Sequence, residues 1–161
     1  MNHSPPGGFT PGTSPTPGHM LPIIVGAGPR AEISDRPLAQ AVLDAIHGEA
    51  TGLLHGTNLH PIILTDLWYL NDRDLLVQPS IVIGDPEQNA ASAFHAPRLP
   101  TILLVEDHYR ILMDQDGGIG HACMWGSGHD ATISAVSTFI DRFLGTFLSN
   151  AALRTPVSGE Q

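Results

Sequence analysis

Four short runs of apolar, largely β-branched residues recur along the chain: Leu21-Pro22-Ile23-Ile24-Val25, Pro61-Ile62-Ile63-Leu64-Thr65, Ile81-Val82-Ile83 and Thr101-Ile102-Leu103-Leu104-Val105. Each is too short for a buried helix and lacks the strict alternation of a half-exposed strand. They therefore read as strands covered on both faces. Tyr109-Arg110-Ile111-Leu112-Met113 follows the fourth run after only Glu106-Asp107-His108, which predicts an antiparallel hairpin near residues 101–113. Ala122-Cys123-Met124-Trp125 predicts a last strand, closed by Gly126-Ser127-Gly128.

Helical spacing fills the intervals. Leu38, Val42, Ala45 and Ile46 lie on one face of a helix that Ser34 or Asp35 can cap, with Pro37 in its first turn and Gly48 as a stop. The stretch 67–78 mixes signals, since Leu67, Leu70 and Asp74 suit a short helix while Asn71-Asp72 suits a turn. Asp85-Pro86-Glu87-Gln88 satisfies the rules for a helix start: an Asp cap, Pro at the first helical position and Gln three residues after the cap. The spacing predicts a helix from Pro86 to Ala96, ended by Pro97. A final helix carries the apolar stripe Ile133, Val136, Ile140, Phe143, Leu144, Phe147 and Leu148, with Ser127 and Asp130 as a short-armed capping box at its start.

Buried runs alternating with amphipathic helices define an α/β fold. The expectation is a Rossmann-like three-layer domain, with a mainly parallel sheet interrupted by the hairpin. Residues 1–19 contain five Pro and four Gly among Ser and Thr and predict a disordered tail. A single domain is expected over residues 20–150 and a flexible C-terminal tail over 151–161. Few helices are available to cover a sheet this wide, so a homodimer that buries the remaining apolar face is expected.

Composition narrows the choice of partners. The chain has 161 residues, 42% hydrophobic and 14% charged, and a formal net charge of −9; its seven basic residues are all Arg. No basic cluster exists to track a phosphate backbone or an anionic membrane surface, so neither nucleic acid nor membrane is an expected partner. The lone Cys123 excludes an internal disulfide, no apolar run approaches the length of a membrane span, and Pro and Gly stand near the N-terminus where a signal peptide would have its apolar core. A cytoplasmic location is the expectation.

In an open α/β sheet, ligands bind outside the carboxyl ends of the strands. Four segments should meet there: Gly26 to Arg30, Thr65-Asp66, Gly84 to Asn89 and Gly126 to Asp130. Backbone N–H groups at Gly84 and the Arg30 guanidinium favour a small anionic ligand. The expected ligand-binding set is Gly28, Arg30, Gly84, Asp85, Glu87, Asn89, Ser127 and Gly128. His129 is the candidate general base, oriented by Asp66 or Asp85. Gly26-Ala27-Gly28 begins a dinucleotide fingerprint, but Ala31 stands at its third glycine position and Pro29 intervenes. Ser127 fails as a nucleophile elbow, because Trp125 and His129 stand where glycines are required. Cys123 lies within a strand and reads as a small core residue.

His55, His60, His95, His108 and His121 are scattered without chelating spacing, and Asp114 to Gly118 departs from a calcium loop at its fifth and sixth positions. The sequence names no metal and no cofactor. It points to an α/β domain that binds a small ligand or a protein partner without catalysis. The alternative is a small hydrolase or transferase that uses His129 at the same edge.

Overall fold

The computed structural model describes residues 20–49, 59–114 and 118–154. The expected N-terminal tail, His55 and part of the Asp114–Gly118 loop lie outside these residues. The elements are β1 (Met20–Val25), α1 (Pro29–Ser34), α2 (Arg36–Glu49), β2 (His60–Thr65), α3 (Asp66–Leu70), α4 (Arg73–Leu76), β3 (Ser80–Ile83), α5 (Ala90–His95), β4 (Thr101–Val105), β5 (Tyr109–Met113), β6 (His121–Gly126), α6 (His129–Thr138) and α7 (Leu144–Arg154). No helix among the described residues is long and apolar enough to cross a membrane.

The six strands form one mixed sheet in the order β2-β1-β3-β6-β5-β4. β2, β1, β3 and β6 run parallel, while β5 is antiparallel to both β6 and β4. The hairpin is thus an antiparallel extension at one side of a parallel core. Asp107, at φ 59°, makes its sharp turn, a conformation that Asp tolerates better than most residues.

Alternate residues of the central strands face opposite sides. Leu21, Ile23, Val25, Ile81, Ile83, Ala122 and Met124 pack beneath α2, α6 and α7. Ile24, Val82 and Cys123 join Tyr69, Leu75 and Ala91 on the other face. Both faces are therefore apolar, which is why the runs show no polar alternation. The ambiguous stretch resolves into both of its signals: α3, a turn at Asn71, then α4, which Asp72 caps by accepting from Asp74 N–H.

Three expectations shift. The helix expected to start at Pro86 starts at Ala90 instead, because Asp85 is spent on a local turn, its carboxylate accepting from the N–H groups of Glu87 and Gln88. The cap is Asn89, whose Oδ1 accepts from the N–H groups of Ala91 and Ser92. Ser127 does not cap α6. Gly128 holds the cap position without a side-chain bond, and the Thr132 hydroxyl reaches back to accept from Gly126 N–H and donate to the Gly128 carbonyl.

The final helix is also not continuous. A π-helical turn at Phe139–Phe143 separates α6 from α7, with Leu144 N–H donating to the Phe139 carbonyl. This extra residue lets Val136, Phe139, Leu144, Phe147, Leu148 and Ala151 share one buried face, whereas Ile133 remains 37% exposed. α7 runs through Arg154, so the first part of the expected C-terminal tail is helical, and residues 155–161 lie outside the described residues.

Asn89 is completely buried, and its Nδ2 also donates to the carbonyls of Ile24 and Ile83. Replacing it removes the cap and orphans two buried carbonyls. Asn89→Ala is expected to cost about 3–4 kcal/mol in urea denaturation, against about 1 kcal/mol or less for Asp85→Ala. Equal losses would contradict this assignment of the helix start.

Candidate functional site

The chain runs from β1 outward to β2, then returns past β1 to place β3 on its other side. The strand order reverses between β1 and β3, and their ladder is correspondingly short, pairing only Ile23 with Ile81 and Ile24 with Val82. Such a reversal opens a crevice at the carboxyl ends of the strands.

Close backbone approaches shape the crevice floor. A Cβ at Gly26 would lie 2.0 Å from the Gln88 carbonyl oxygen, so only glycine lets the turns after β1 and β3 meet. Gly84 has φ 125° and would direct a Cβ to within 2.9 Å of Asp35 Oδ2, so glycine is required there for both conformation and room. Asp66, 5% exposed, fastens the same turns: its Oδ1 accepts from Ala27 N–H at 3.1 Å and its Oδ2 from Ala90 N–H at 2.8 Å.

Above this floor lies a mainly polar cleft of about 140 Å³. Arg30, Ala31, Ser34 and Asp35 line it from α1 and the α1–α2 junction, Asp85 and Gln88 from the turn after β3, and Ser127, Gly128, His129 and Thr132 from the start of α6. Arg30, Ser127 and His129 are exposed at its rim.

Asp35 is the unusual member. It is only 8% exposed, and among the described residues its carboxylate takes part in no hydrogen bond and no ion pair. Its backbone carbonyl starts α2 by accepting from the N–H groups of Leu38 and Ala39, but the side chain does not cap that helix. Burial raises its pKa from 3.8 to about 6; the neighbouring Asp85 adds to the rise, and His129 and Arg30 oppose it. A carboxyl group is thus held where it exchanges a proton near neutral pH, beside Arg30 and His129 but bonded to neither.

Of the residues anticipated from sequence, the cleft brings together Arg30, Asp85, Ser127, Gly128 and His129, with Gly84 beneath Asp35. Gly28 caps α1 outside the cleft lining, and Glu87 is exposed beyond it. Asn89 is buried within the floor, its amide fully engaged. Asp66 does not line the cleft, and both of its oxygens are occupied by backbone donors, so the carboxylates near His129 are Asp35 and Asp85. Asp35 passed unnoticed in the sequence because a capping role accounted for it completely. Compared with protein families, curated proteins and solved structures, the chain matches none, so the cleft is read from its own geometry.

An unpaired buried carboxylate weakens the fold. Because the folded-state pKa lies above the unfolded one, this group's contribution is greatest below pH 3.8 and is lost as pH rises to about 6. Asp35→Asn removes the penalty. At pH 7 it is expected to stabilise the protein by about 1–2 kcal/mol, after discounting for solvent in an open cleft. The gain should shrink toward zero near pH 4, a trend that parallel urea titrations of both proteins would reveal. A gain that does not change with pH would contradict the unpaired-carboxylate description.

Proposed function

We propose that the protein binds a small polar molecule in this cleft, seating a protonated amine of that molecule on Asp35. The single observation behind this reading is Asp35, a residue more than nine-tenths buried that lines a cleft at the strand-order reversal, its carboxylate without a partner among the described residues. Burying a charge without a partner is costly, and a ligand cation would supply that partner. Arg30 and His129 at the rim favour an acceptor or anionic group elsewhere on the same ligand. A zwitterion of amino-acid size combines these features better than a simple anion, which Asp35 and Asp85 would repel. Binding at this edge follows the Rossmann-like reading of the parallel strands.

A second reading is acid–base chemistry, with Asp35 rather than Asp66 working beside His129. It is favoured by the position of Asp35's pKa, about 6, close to the operating range of a general acid or base. The two readings diverge in what happens to the ligand, which is recovered unchanged in the first and consumed in the second.

Calorimetric titration with small amino acids, amines and carboxylates tests the binding proposal. Amine-bearing compounds should bind, with affinity rising about tenfold from pH 5 to pH 7 as the ionised fraction of Asp35 grows. Asp35→Asn should abolish both binding and its pH dependence. Binding confined to carboxylates without an amine, or unchanged in the variant, would contradict the proposal.

A further inference from the structure

A second constellation lies at the opposite edge of the sheet, where the parallel strands begin. Ser80 opens β3, His121 opens β6, and the two are register partners. Their side chains meet, Ser80 Oγ to His121 Nδ1 at 2.7 Å. Tyr69 Oη lies 3.2 Å from Ser80 Oγ and 2.9 Å from His95 Nε2, and the two imidazole rings lie tilted by 38° with centroids 4.5 Å apart. Every member is buried, with His95 2% and His121 6% exposed.

The three hydrogen bonds fit either direction, and the Leu76 carbonyl favours one of them. The Leu76 carbonyl favours a proton on the His121 ring. A neutral ring carries one N–H, so giving it to Leu76 leaves Nδ1 to accept from the Ser80 hydroxyl. Ser80 then accepts from Tyr69, and Tyr69 accepts from His95 Nε2–H. His95 is left with a bare Nδ1, for which no partner exists among the described residues. Burial and the adjacent His121 lower its pKa to about 4, so the ring stays neutral and the lone pair remains available at pH 7.

His95 and His121 line a pocket of about 300 Å³ whose other walls are largely apolar: Leu76, Phe94, Leu99 and Ile119. Each of the two charged groups at this pocket makes bonds of its own. Asp114 accepts from the N–H groups of Gly120 and His121, and Arg98 lies over the Phe94 ring and donates to the Phe94 carbonyl. No group of three His, Cys, Asp or Glu side chains suited to a metal gathers among the described residues. What the pocket offers a ligand is chiefly apolar surface, with an uncharged acceptor at His95. We propose that it binds a small neutral molecule, about one ring in size, that donates a hydroxyl or N–H to His95 Nδ1. The volume fits, since roughly 150 Å³ of apolar cavity already accommodates a benzene-sized molecule.

Phenol and toluene make a matched pair of probes, alike in shape and differing in the donor. NMR titration of the full chain should show phenol shifting the His95 ring resonances and binding about five- to tenfold more tightly than toluene, the effect of one hydrogen bond. Ile119→Trp, which fills the pocket from its partly exposed wall without touching the buried chain of hydrogen bonds, should abolish binding of both probes. Equal affinities for the two probes, phenol binding that leaves His95 unperturbed, or binding retained in Ile119→Trp would each overturn the proposal.

Discussion

Beyond Ile24 and Val82 the ladder between β1 and β3 ends, and the carbonyls at the parting strand ends need donors from elsewhere. The Asn89 side chain supplies them, donating to Ile24 and Ile83 while its oxygen caps α5. Asp66 performs the matching task for donors, accepting one N–H from the turn after β1 and one from the start of α5. These two side chains let the sheet split at this point without orphaned backbone groups. Both are rigid for the same reason, since every polar atom they carry is engaged inside the protein. The crevice they hold open is accordingly a fixed feature of the fold.

Against that background of satisfied groups, Asp35 stands out. It sits over Gly84 at the mouth of the same crevice, nearly as buried as Asp66 but without donors. Two carboxylates of the same crevice thus have opposite circumstances, one accepting from two backbone N–H groups and one held in wait. A residue that suits burial would make the fold more stable at this position, so the presence of Asp35 is the kind of local cost that binding sites impose. The two edges of the sheet also differ in character. The carboxyl edge presents charged groups in a shallow polar cleft, whereas the amino edge buries a neutral run of Tyr, Ser and His beside an apolar pocket.

Much of the fold was legible because its signals are local. Apolar runs at 21–25, 61–65, 81–83, 101–105, 109–113 and 122–125 all fall within strands, and the three residues between the fourth and the fifth set the hairpin. What escaped depends on contacts between distant residues. Asp85 and Asn89 both qualify as helix caps, and the contest is decided by the carbonyl of Ile24 on another strand. The π-helical turn arises from the need to keep Phe139 and Leu144 on one face, a need visible only once the sheet beneath is known. His95 and His121 looked scattered because they are brought together by α5 and the start of β6. At the cleft, Arg30, Asp85 and His129 could be placed by the rule that glycine turns gather at the strand ends. Asp35 could not, since a residue with a sufficient local explanation gives no signal that the explanation goes unused.

The account rests on the state of that one carboxyl group, which can be observed directly. Carbon-detected NMR of the Asp35 carboxyl, followed through a pH titration of the unliganded protein, reports its ionisation without relying on stability or binding. A midpoint near pH 6 is predicted, set chiefly by burial and then by Asp85. A midpoint at the ordinary aspartate value of 3.8 would show the group to be solvated or paired, and would contradict the central claim.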